Sequence, residues 1–275
     1  MNLAELSILN PQLEDRVLTL NLNHGRANEM GSDCLRAWEA LSDQLEKGEI
    51  RAVITTSQRS SRRGKPIFIS GADVTERSGW SSEHVKSHVR WQRQVLQNLR
   101  NAPVFHIAVV DGVAFGWGTE FMLCCDYRIS TARSTFALPE TSLGILPGAG
   151  GTSELWMEIG VAQALRLGMT CERIDGEEAV KIGLVQECTA DWSSAIERAK
   201  ALAKLATLRS PTATAAFKQA LLSSRGRDRD QRTELEAQAY EHCVNSGEAA
   251  IGRENFKSIL AGEAVKWGSF SKANG

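Results

Sequence analysis

Two N-terminal segments alternate apolar and polar positions and predict the first strands of a sheet. Residues 16–22, RVLTLNL, alternate as a half-buried strand does, and residues 51–56, RAVITT, predict a second strand. Between them, Ser32 is placed to cap a helix that runs to about Lys47 and ends at Gly48. The first part of the chain is therefore predicted to contain a strand, a helix and a strand.

The next segment repeats this alternation. A short apolar run, residues 67–69, predicts a strand. A helix is predicted to open at Ser82 with Glu83 and to stop at Pro103. Its apolar residues recur at roughly helical spacing and predict one buried face. These residues are Val85, Val89, Val95, Leu96 and Leu99.

The central segment predicts two strands on either side of a helix. HIAVV, residues 106–110, is a buried strand by composition, and YRIST, residues 127–131, is another. Residues 112–118 predict a turn that leads into a helix carrying Glu120. After a glycine-rich loop, the next helix is predicted to be capped by Thr152 or Ser153 and to end before Gly168. A short helix and the strand GLVQE are then predicted over residues 176–187.

The last part of the chain is predicted to be helical only. Ser210 and Pro211 are a favourable N-cap and first helical residue, and no strand pattern follows them. Strands that alternate with helices make the preceding part an α/β fold. We therefore predict a core over residues 1–205 and a helical region over residues 206–275.

Composition and charge exclude several classes of protein. The chain has 275 residues and a formal net charge of -1, which argues against general attraction to nucleic acid or to an anionic membrane. No apolar run approaches the length of a membrane span, and the N-terminus lacks the pattern of a targeting segment. Six scattered cysteines are typical of free thiols in a reducing compartment. We therefore expect a cytoplasmic protein.

Two glutamates occur among residues that are predicted to be buried. Glu120 precedes the apolar run 121–125, and Glu140 lies between residues 136–139 and the apolar pair Leu143 and Ile145. A carboxylate is rarely fully buried unless it is paired or has a chemical role. The alternative for each glutamate is a structural residue that backbone N–H groups satisfy.

Three turns of small residues lie beside predicted helix starts, at residues 71–72, 116–118 and 148–151. Exposed N–H groups at a helix N-terminus can bind an anion. Neither of the common phosphate-binding glycine motifs occurs, because Phe121 and Ser153 stand where a third glycine would be needed. The alternative is that these glycines only serve backbone turns.

Residues 111–152, DGVAFGWGTEFMLCCDYRISTARSTFALPETSLGILPGAGGT, resemble the signature of the crotonase (enoyl-CoA hydratase/isomerase) superfamily. The shared features are a strand, a G-x-G turn, a helix with a glutamate, a Pro-Glu pair and PGAGGT. Residues 68–76, FISGADVTE, resemble a second family segment, and residues 210–267 resemble the family's helical trimerisation region. The resemblance implies the crotonase (ClpP-like) α/β fold of repeated ββα units. It makes residues 1–205 the catalytic core and residues 206–275 the oligomerisation region.

The resemblance also implies a thioester mechanism. The family binds the carbonyl oxygen of an acyl-CoA in an oxyanion hole of two backbone N–H groups, which match those of Ala72 and Trp117. Glu120 and Glu140 match the two catalytic glutamates of the hydratase branch. Glu120 is expected to orient or deprotonate the water that attacks Cβ, and Glu140 to deliver a proton to Cα.

Further substrate contacts are implied by position. Arg26 and Ala27 belong to a segment that resembles the family's CoA-contacting first loop. The other expected substrate-binding residues are Gly71, Asp73, Gly116 and Gly148. No cofactor is expected apart from the coenzyme A of the substrate. No metal site is expected, because the histidines and cysteines show no ligand spacing. Adjacent Cys124 and Cys125 are predicted to pack in the core, as is His106 unless it lies at a sheet edge.

A polar, basic loop at residues 57–66 is longer than the equivalent stretch of typical relatives. It contains Arg59, Arg62, Arg63 and Lys65. One interpretation is a solvated insertion. The other is a contact with phosphate, either of coenzyme A or of the phosphopantetheine on an acyl carrier protein.

These observations favour hydration of a 2-enoyl thioester or the reverse dehydration. Isomerases of the family usually work with one carboxylate, often at the position of Glu140, so a double-bond isomerase is the first alternative. A binding protein that keeps the fold without the chemistry is the second. The expected partner is an acyl-CoA or acyl carrier protein thioester, without membrane and without nucleic acid. The expected assembly is a homotrimer or hexamer.

Overall fold

The computed structural model of the protein describes residues 1–272. Its strands are β1 (Pro11–Glu14), β2 (Val17–Leu22), β3 (Ala52–Ser57), β4 (Ile67–Ile69), β5 (Phe105–Val110), β6 (Val113–Phe115), β7 (Tyr127–Thr131), β8 (Thr135–Ala137), β9 (Ile174–Asp175) and β10 (Glu187–Thr189). Two short 3₁₀ helices span Leu3–Leu9 and Glu140–Leu143.

The α-helices are α1 (Ser32–Leu45), α2 (Ser82–Asn101), α3 (Trp117–Cys124), α4 (Leu155–Thr170), α5 (Gly176–Lys181), α6 (Trp192–Thr207), α7 (Pro211–Ser223), α8 (Arg229–Asn245), α9 (Glu248–Glu254) and α10 (Phe256–Leu260). Helices α7 to α10 follow one another without an intervening strand, as the sequence predicts.

The strands form two sheets that share a repeated ββα unit. One sheet has the order β1-β2-β3-β5-β7-β10, and the other has the order β4-β6-β8-β9. In the units β3-β4-α2 and β5-β6-α3, the first strand enters the larger sheet and the second enters the smaller one. Likewise, strand β7 belongs to the larger sheet and strand β8 to the smaller one. All neighbours are parallel except the β1–β2 and β8–β9 pairs. This is the α/β fold of ββα repeats that the sequence predicts.

Strand β3 is buried along its whole length because both faces of the larger sheet are covered. Val53 points into the main core with α1 and α2, whereas Ile54 packs with β5, β7 and helix α6 on the opposite face. The alternation of successive side chains across a strand explains this division. The larger sheet is therefore packed on both of its faces.

The smaller sheet brings three chain segments to one edge. Strands β4, β6 and β8 are parallel neighbours, so their carboxyl ends meet there. Residues 71–72 follow β4, residues 116–117 follow β6, and Glu140 follows β8. These are the segments in which the sequence predicts the oxyanion hole and the second glutamate.

The structure corrects several predicted elements. The predicted turn at residues 112–118 contains strand β6. Helix α4 begins at Leu155 with Glu154 as its N-cap, so neither residue proposed as its cap has that role. The helix is kinked at Gly160, where φ is 78°, and it continues through Gly168 to Thr170. The last strand of the larger sheet begins at Glu187, later than GLVQE predicts.

Other predictions of local structure are confirmed. Strands β2, β3, β5 and β7 lie where the sequence predicts them. The Ser210 hydroxyl accepts the Ala213 N–H and caps α7. The division at residue 205 stays a prediction, and residues 273–275 of the predicted oligomerisation region lie outside the described residues.

Candidate active site

The residues on either side of Ala72 bond to Met30 and leave the Ala72 N–H without a partner within residues 1–272. The Met30 N–H donates to the Gly71 carbonyl, and the Asp73 N–H donates to the Met30 carbonyl, each at 2.9 Å. Successive N–H groups of an extended chain point to opposite sides, so the Ala72 N–H points away from Met30. No hydrogen bond within residues 1–272 takes up this N–H. It is available to a ligand at the end of β4.

The Trp117 N–H lies at the N-terminus of α3, where the first N–H groups have no intrahelical partner. Gly116 turns the chain into the helix with a positive φ of 51°. A β-carbon at Gly118 would lie 2.4 Å from the Ile69 carbonyl oxygen, so only glycine lets α3 start this close to β4. The two predicted oxyanion donors, from Ala72 and Trp117, are therefore at the same edge of the smaller sheet.

The Trp117 side chain packs away from this edge. Its ring stacks on Phe121 with centroids 5.5 Å apart, and the residue is 2% exposed. Phe121 also contacts Trp38 of α1 at 4.7 Å between centroids. The indole of Trp117 thus belongs to the main core, while its N–H stands at the helix start.

Glu120 is buried, with 3% of its surface exposed, and it is held by the loop before α4. Its Oε1 accepts the Ala149 N–H at 2.7 Å and the Gly151 N–H at 2.9 Å. Burial raises the pKa of Glu120, while these two N–H groups and the charge of Arg93 act in the opposite direction. The loop fixes one carboxylate oxygen and leaves Oε2 for another partner.

Glu140 opens the 3₁₀ turn after β8 and is half-buried. Its Oε2 is buried and has no hydrogen-bond partner within residues 1–272. Burial, and secondarily the charge of Glu120, raises the pKa of Glu140 to about 7. Leu143 and Ile145, which the sequence predicts to be buried, are 64% and 54% exposed. The burial of Glu140 therefore comes from the site side of the turn and not from these neighbours.

The two carboxyl groups differ in their hydrogen bonding. Glu120 accepts the N–H groups of Ala149 and Gly151, whereas Oε2 of Glu140 has no hydrogen-bond partner within residues 1–272. Burial raises the pKa of both groups, and the charge of Glu120 adds to the rise at Glu140. Two carboxyl groups in different surroundings can act as an acid and a base.

Helix α2 supports the loop that holds Glu120. Arg93 donates from Nε to the Gly148 carbonyl at 3.0 Å. A β-carbon at Gly148 would lie 2.8 Å from Cγ1 of Val89, so the loop approaches the helix closely. The sequence carries no signal for Arg93 beyond a charged residue on an exposed helix face.

The predicted CoA-contacting loop lies beside the Ala72 segment. The Ala27 carbonyl accepts the Ser70 N–H at 3.2 Å. The N–H groups of Arg26 and Ala27 both donate to the Glu29 carboxylate, at 3.1 and 2.9 Å. Buried Asn28 donates from its amide to the carbonyl of Phe68 at 2.8 Å and anchors this loop. Asn28 is not among the residues that the sequence predicts to be functional.

Asp73 is placed at the same edge, but its carboxylate is used within its own turn. Oδ1 accepts the hydroxyl of Thr75 at 2.6 Å and the N–H groups of Thr75 and Glu76 at 2.9 and 3.2 Å. The Thr75 hydroxyl is the main cause that lowers the pKa of Asp73. Asp73 thus stabilises the turn that follows Ala72, and Gly71 precedes it with a φ of 127°.

Arg59 of the basic loop binds the first loop. It donates from Nε to the Arg26 carbonyl at 3.2 Å, from Nη1 to Asn23 at 3.0 Å and from Nη2 to the Gly25 carbonyl. The other three basic side chains are exposed. They are Arg62, Arg63 and Lys65. Arg59 is a structural tie, and only the remaining three are free to meet a phosphate.

Several known proteins are similar to this chain over most of its length. The family model described as enoyl-CoA hydratase/isomerase matches residues 14–261. The chain belongs to this family, the crotonase superfamily. The short-chain-enoyl-CoA hydratase of Clostridium acetobutylicum is 30% identical over 244 residues, covering 88% of this chain and 91% of the relative. The mitochondrial methylglutaconyl-CoA hydratase of Rattus norvegicus is 30% identical over 260 residues, covering 92% and 81%.

Solved structures of the superfamily share the fold. The crystal structure of enoyl-CoA hydratase from Bacillus anthracis superimposes with a TM-score of 0.83 at 31% identity, covering 94% of this chain and 95% of that one. Pseudomonas aeruginosa DspI superimposes with a TM-score of 0.85 at 29% identity, covering 95% and 97%. The crotonase fold that the sequence predicts is therefore confirmed. Among residues 1–272, no helix combines the length and the apolar character needed to span a membrane.

Proposed function

We propose that the protein adds water to a 2-enoyl-CoA thioester to give the 3-hydroxyacyl thioester, or catalyses the reverse dehydration. The observation that carries this proposal is the unequal pair of carboxyl groups. Glu120 accepts two backbone N–H groups, and Glu140 has a pKa raised to about 7 by burial and by Glu120. Hydration needs one base and one acid in the same site.

In the proposed reaction, the thioester carbonyl oxygen accepts the N–H groups of Ala72 and Trp117. Glu120 removes a proton from water as the water oxygen bonds to Cβ, and the Cα=Cβ electron pair moves toward the carbonyl as an enolate. Protonated Glu140 then gives its proton to Cα. Each oxyanion donor is typically worth about 3 kcal/mol of transition-state stabilisation.

The isomerase alternative is less well supported. Isomerases need one group that moves a proton between two carbons of the substrate. Glu120 would then be a buried carboxyl with only structural partners, although its Oε2 is left free by the loop. A binding protein without chemistry would give no reason to retain two carboxyl groups that repel each other.

The test is a panel of 2-enoyl-CoA thioesters of different length and branching. Hydration removes the conjugated enone, so loss of its ultraviolet absorbance measures turnover, and mass spectrometry should find a product heavier by one water. A 3-enoyl-CoA substrate tests the alternative, because isomerisation creates the conjugated absorbance. Turnover of the 3-enoyl thioester without hydration of any 2-enoyl thioester would replace this proposal by the isomerase.

The proposed substrate carrier is coenzyme A, with an acyl carrier protein as the alternative. The CoA proposal is favoured because the relatives described above are named as hydratases of CoA thioesters. The three exposed basic residues of the loop keep the carrier-protein alternative open to test. All six cysteines are free thiols, which supports a reducing, cytoplasmic location.

A further inference from the structure

Three metal-ligating side chains that the proposed reaction does not use lie together at the far end of α3. His106 is on β5, Cys124 ends α3, and Cys125 follows it. One donor atom of each lies within 4.8 Å of the other two. The residues are 0%, 2% and 3% exposed. Tetrahedral zinc, with its sulfur ligands at about 2.3 Å and nitrogen at about 2.0 Å, needs donors roughly 3.5–4 Å apart, so the cluster is close to ligand spacing.

His106 lies in the cluster with one of its ring nitrogens hydrogen-bonded. Its Nε2 is 2.8 Å from the hydroxyl of Thr55, and within residues 1–272 its buried Nδ1 has no hydrogen-bond partner. A hydrogen bond on one ring nitrogen is the usual means of orienting the other toward a metal. Histidine binds metal ions through a neutral ring nitrogen.

The charges of the proposed ligands would balance a divalent ion. One divalent ion, two thiolates and one neutral imidazole have no net charge, and a neutral assembly is the arrangement that a buried site tolerates best. The Cys125 thiol donates to the Phe121 carbonyl at 3.7 Å, and a bound ion would replace this bond.

The cluster borders a cavity. Cys124 and Cys125 contribute to the lining of a cavity of about 540 Å³ between the end of α3 and helix α7. We propose that His106, Cys124 and Cys125 bind one Zn²⁺ ion, with its fourth position open to this cavity. Two cysteines and one histidine with an open fourth position are a known zinc ligand set. The proposed metal ligands are not residues of the proposed thioester chemistry. The zinc proposal can therefore be tested independently of the proposed function.

The experiment uses cadmium as a spectroscopic substitute for zinc, with a phosphine reductant present. The three less buried thiols are first removed by Cys171→Ser, Cys188→Ser and Cys243→Ser. Titration with Cd²⁺ should then produce thiolate-to-cadmium absorbance that saturates at one ion per chain and is displaced by Zn²⁺. Cys124→Ser or Cys125→Ser in this background should weaken binding at least about ten-fold.

Two further variants make the result decisive. Cys34 lies 3.0 Å from Nε2 of His24 and is the rival thiol, so Cys34→Ser should leave the absorbance unchanged. Thr55→Val keeps all three ligands but removes the hydrogen bond on His106, and it should weaken Cd²⁺ binding by about 10–100-fold without unfolding the chain. Zn²⁺ should raise the melting temperature of the parent background and not of Cys125→Ser. Absence of the absorbance, or its loss in Cys34→Ser alone, overturns the proposal.

Discussion

The carboxylate of Glu140 lies directly over the α-carbon of Gly116. A β-carbon at Gly116 would stand 2.5 Å from Oε1 of Glu140, and the backbone there has a φ of 51°. The glycine that starts the oxyanion-hole turn therefore also makes room for the predicted proton donor. The absence of a side chain at Gly116 thus affects both the turn before Trp117 and the position of Glu140.

Gly116→Ala should consequently displace Glu140 and strain the turn. We expect kcat to fall by about ten-fold or more, with a loss of about 1–3 kcal/mol of stability from the unfavourable φ. The measurement is steady-state hydration together with thermal unfolding. Gly144→Ala is the matched control, because Gly144 has a φ of 73° but a β-carbon there would meet no atom within 4 Å. Equal losses of kcat in both variants would show that strain alone is responsible.

Glu120→Gln and Glu140→Gln test the acid and base directly. Each substitution preserves volume and removes the ionisable group, so each should lower kcat by about 10² or more. The double variant should be much less than multiplicatively worse, because both residues act on one water and one proton. Thioester binding should survive, since the N–H groups of Ala72 and Trp117 are unchanged. Loss of activity in Glu140→Gln alone would favour the isomerase.

The raised pKa of Glu140 predicts a pH-dependent stability. The folded protein holds a proton on Glu140 up to about pH 7, whereas the unfolded chain releases it near 4.5. The folded state binds more protons between these values, so stability falls as pH rises from about 4.5 to 7. Because Glu140 is half-buried and screened, the effect is about 1–2 kcal/mol.

Glu140→Gln should therefore raise the unfolding free energy by about this amount above pH 7 and leave it nearly unchanged below pH 4.5. Denaturant unfolding at several pH values measures the difference. Glu197→Gln, on the exposed face of α6, is the control and should show no such dependence. A gain from Glu140→Gln that is equal at all pH values would argue against the raised pKa.

Substitutions in the basic loop should have different effects for the three exposed residues and for Arg59. Arg62→Ser, Arg63→Ser and Lys65→Ser together should raise KM with little change in kcat if these residues contact phosphate, and high salt should shrink the effect. Arg59→Ser should instead loosen the first loop, because it removes three hydrogen bonds to residues 23–26. Comparing CoA with carrier-protein substrates identifies the carrier. Unchanged KM for both would make the loop a solvated insertion.

Assembly into a trimer or hexamer is predicted from exposed apolar side chains. In the C-terminal helices, Phe217 is 71%, Leu221 60%, Phe256 59% and Leu260 72% exposed. Large exposed apolar surfaces often mark protein interfaces. Light scattering at micromolar concentration should give three or six times the mass of the chain, and a monomer would contradict this prediction. Leu221→Lys should shift the mass downward, whereas Lys200→Glu on α6 should not.

The sequence predicts the long buried elements well because burial on both faces dictates composition. Strand β5 is buried from His106 to Val110, and four of the five residues of HIAVV are apolar. Strand β6 is only three residues long and lies between Gly112 and Gly116, so its local pattern is that of a turn. Its pairing with β4 and β8 is decided by tertiary contacts that no local pattern shows.

The sequence predicts candidate site residues but not the contacts that set their electrostatics. The motif identifies Glu120 and Glu140, but the two N–H groups that hold Glu120 come from a loop 29 and 31 residues away. Leu143 is exposed although the sequence predicts that it is buried. Composition alone does not distinguish an apolar residue of the core from one on the surface.

The backbone and the side chain of Trp117 have different roles. Its N–H serves the substrate side in the proposed mechanism, while its indole stacks on Phe121 in the core. Any amino acid except proline supplies the same N–H, so the side chain at this position can drift during evolution without a direct effect on the reaction. Such drift is limited by how well the new side chain fills the space beside Phe121. Core residues beside Phe121 can therefore change while the backbone donor at position 117 stays the same.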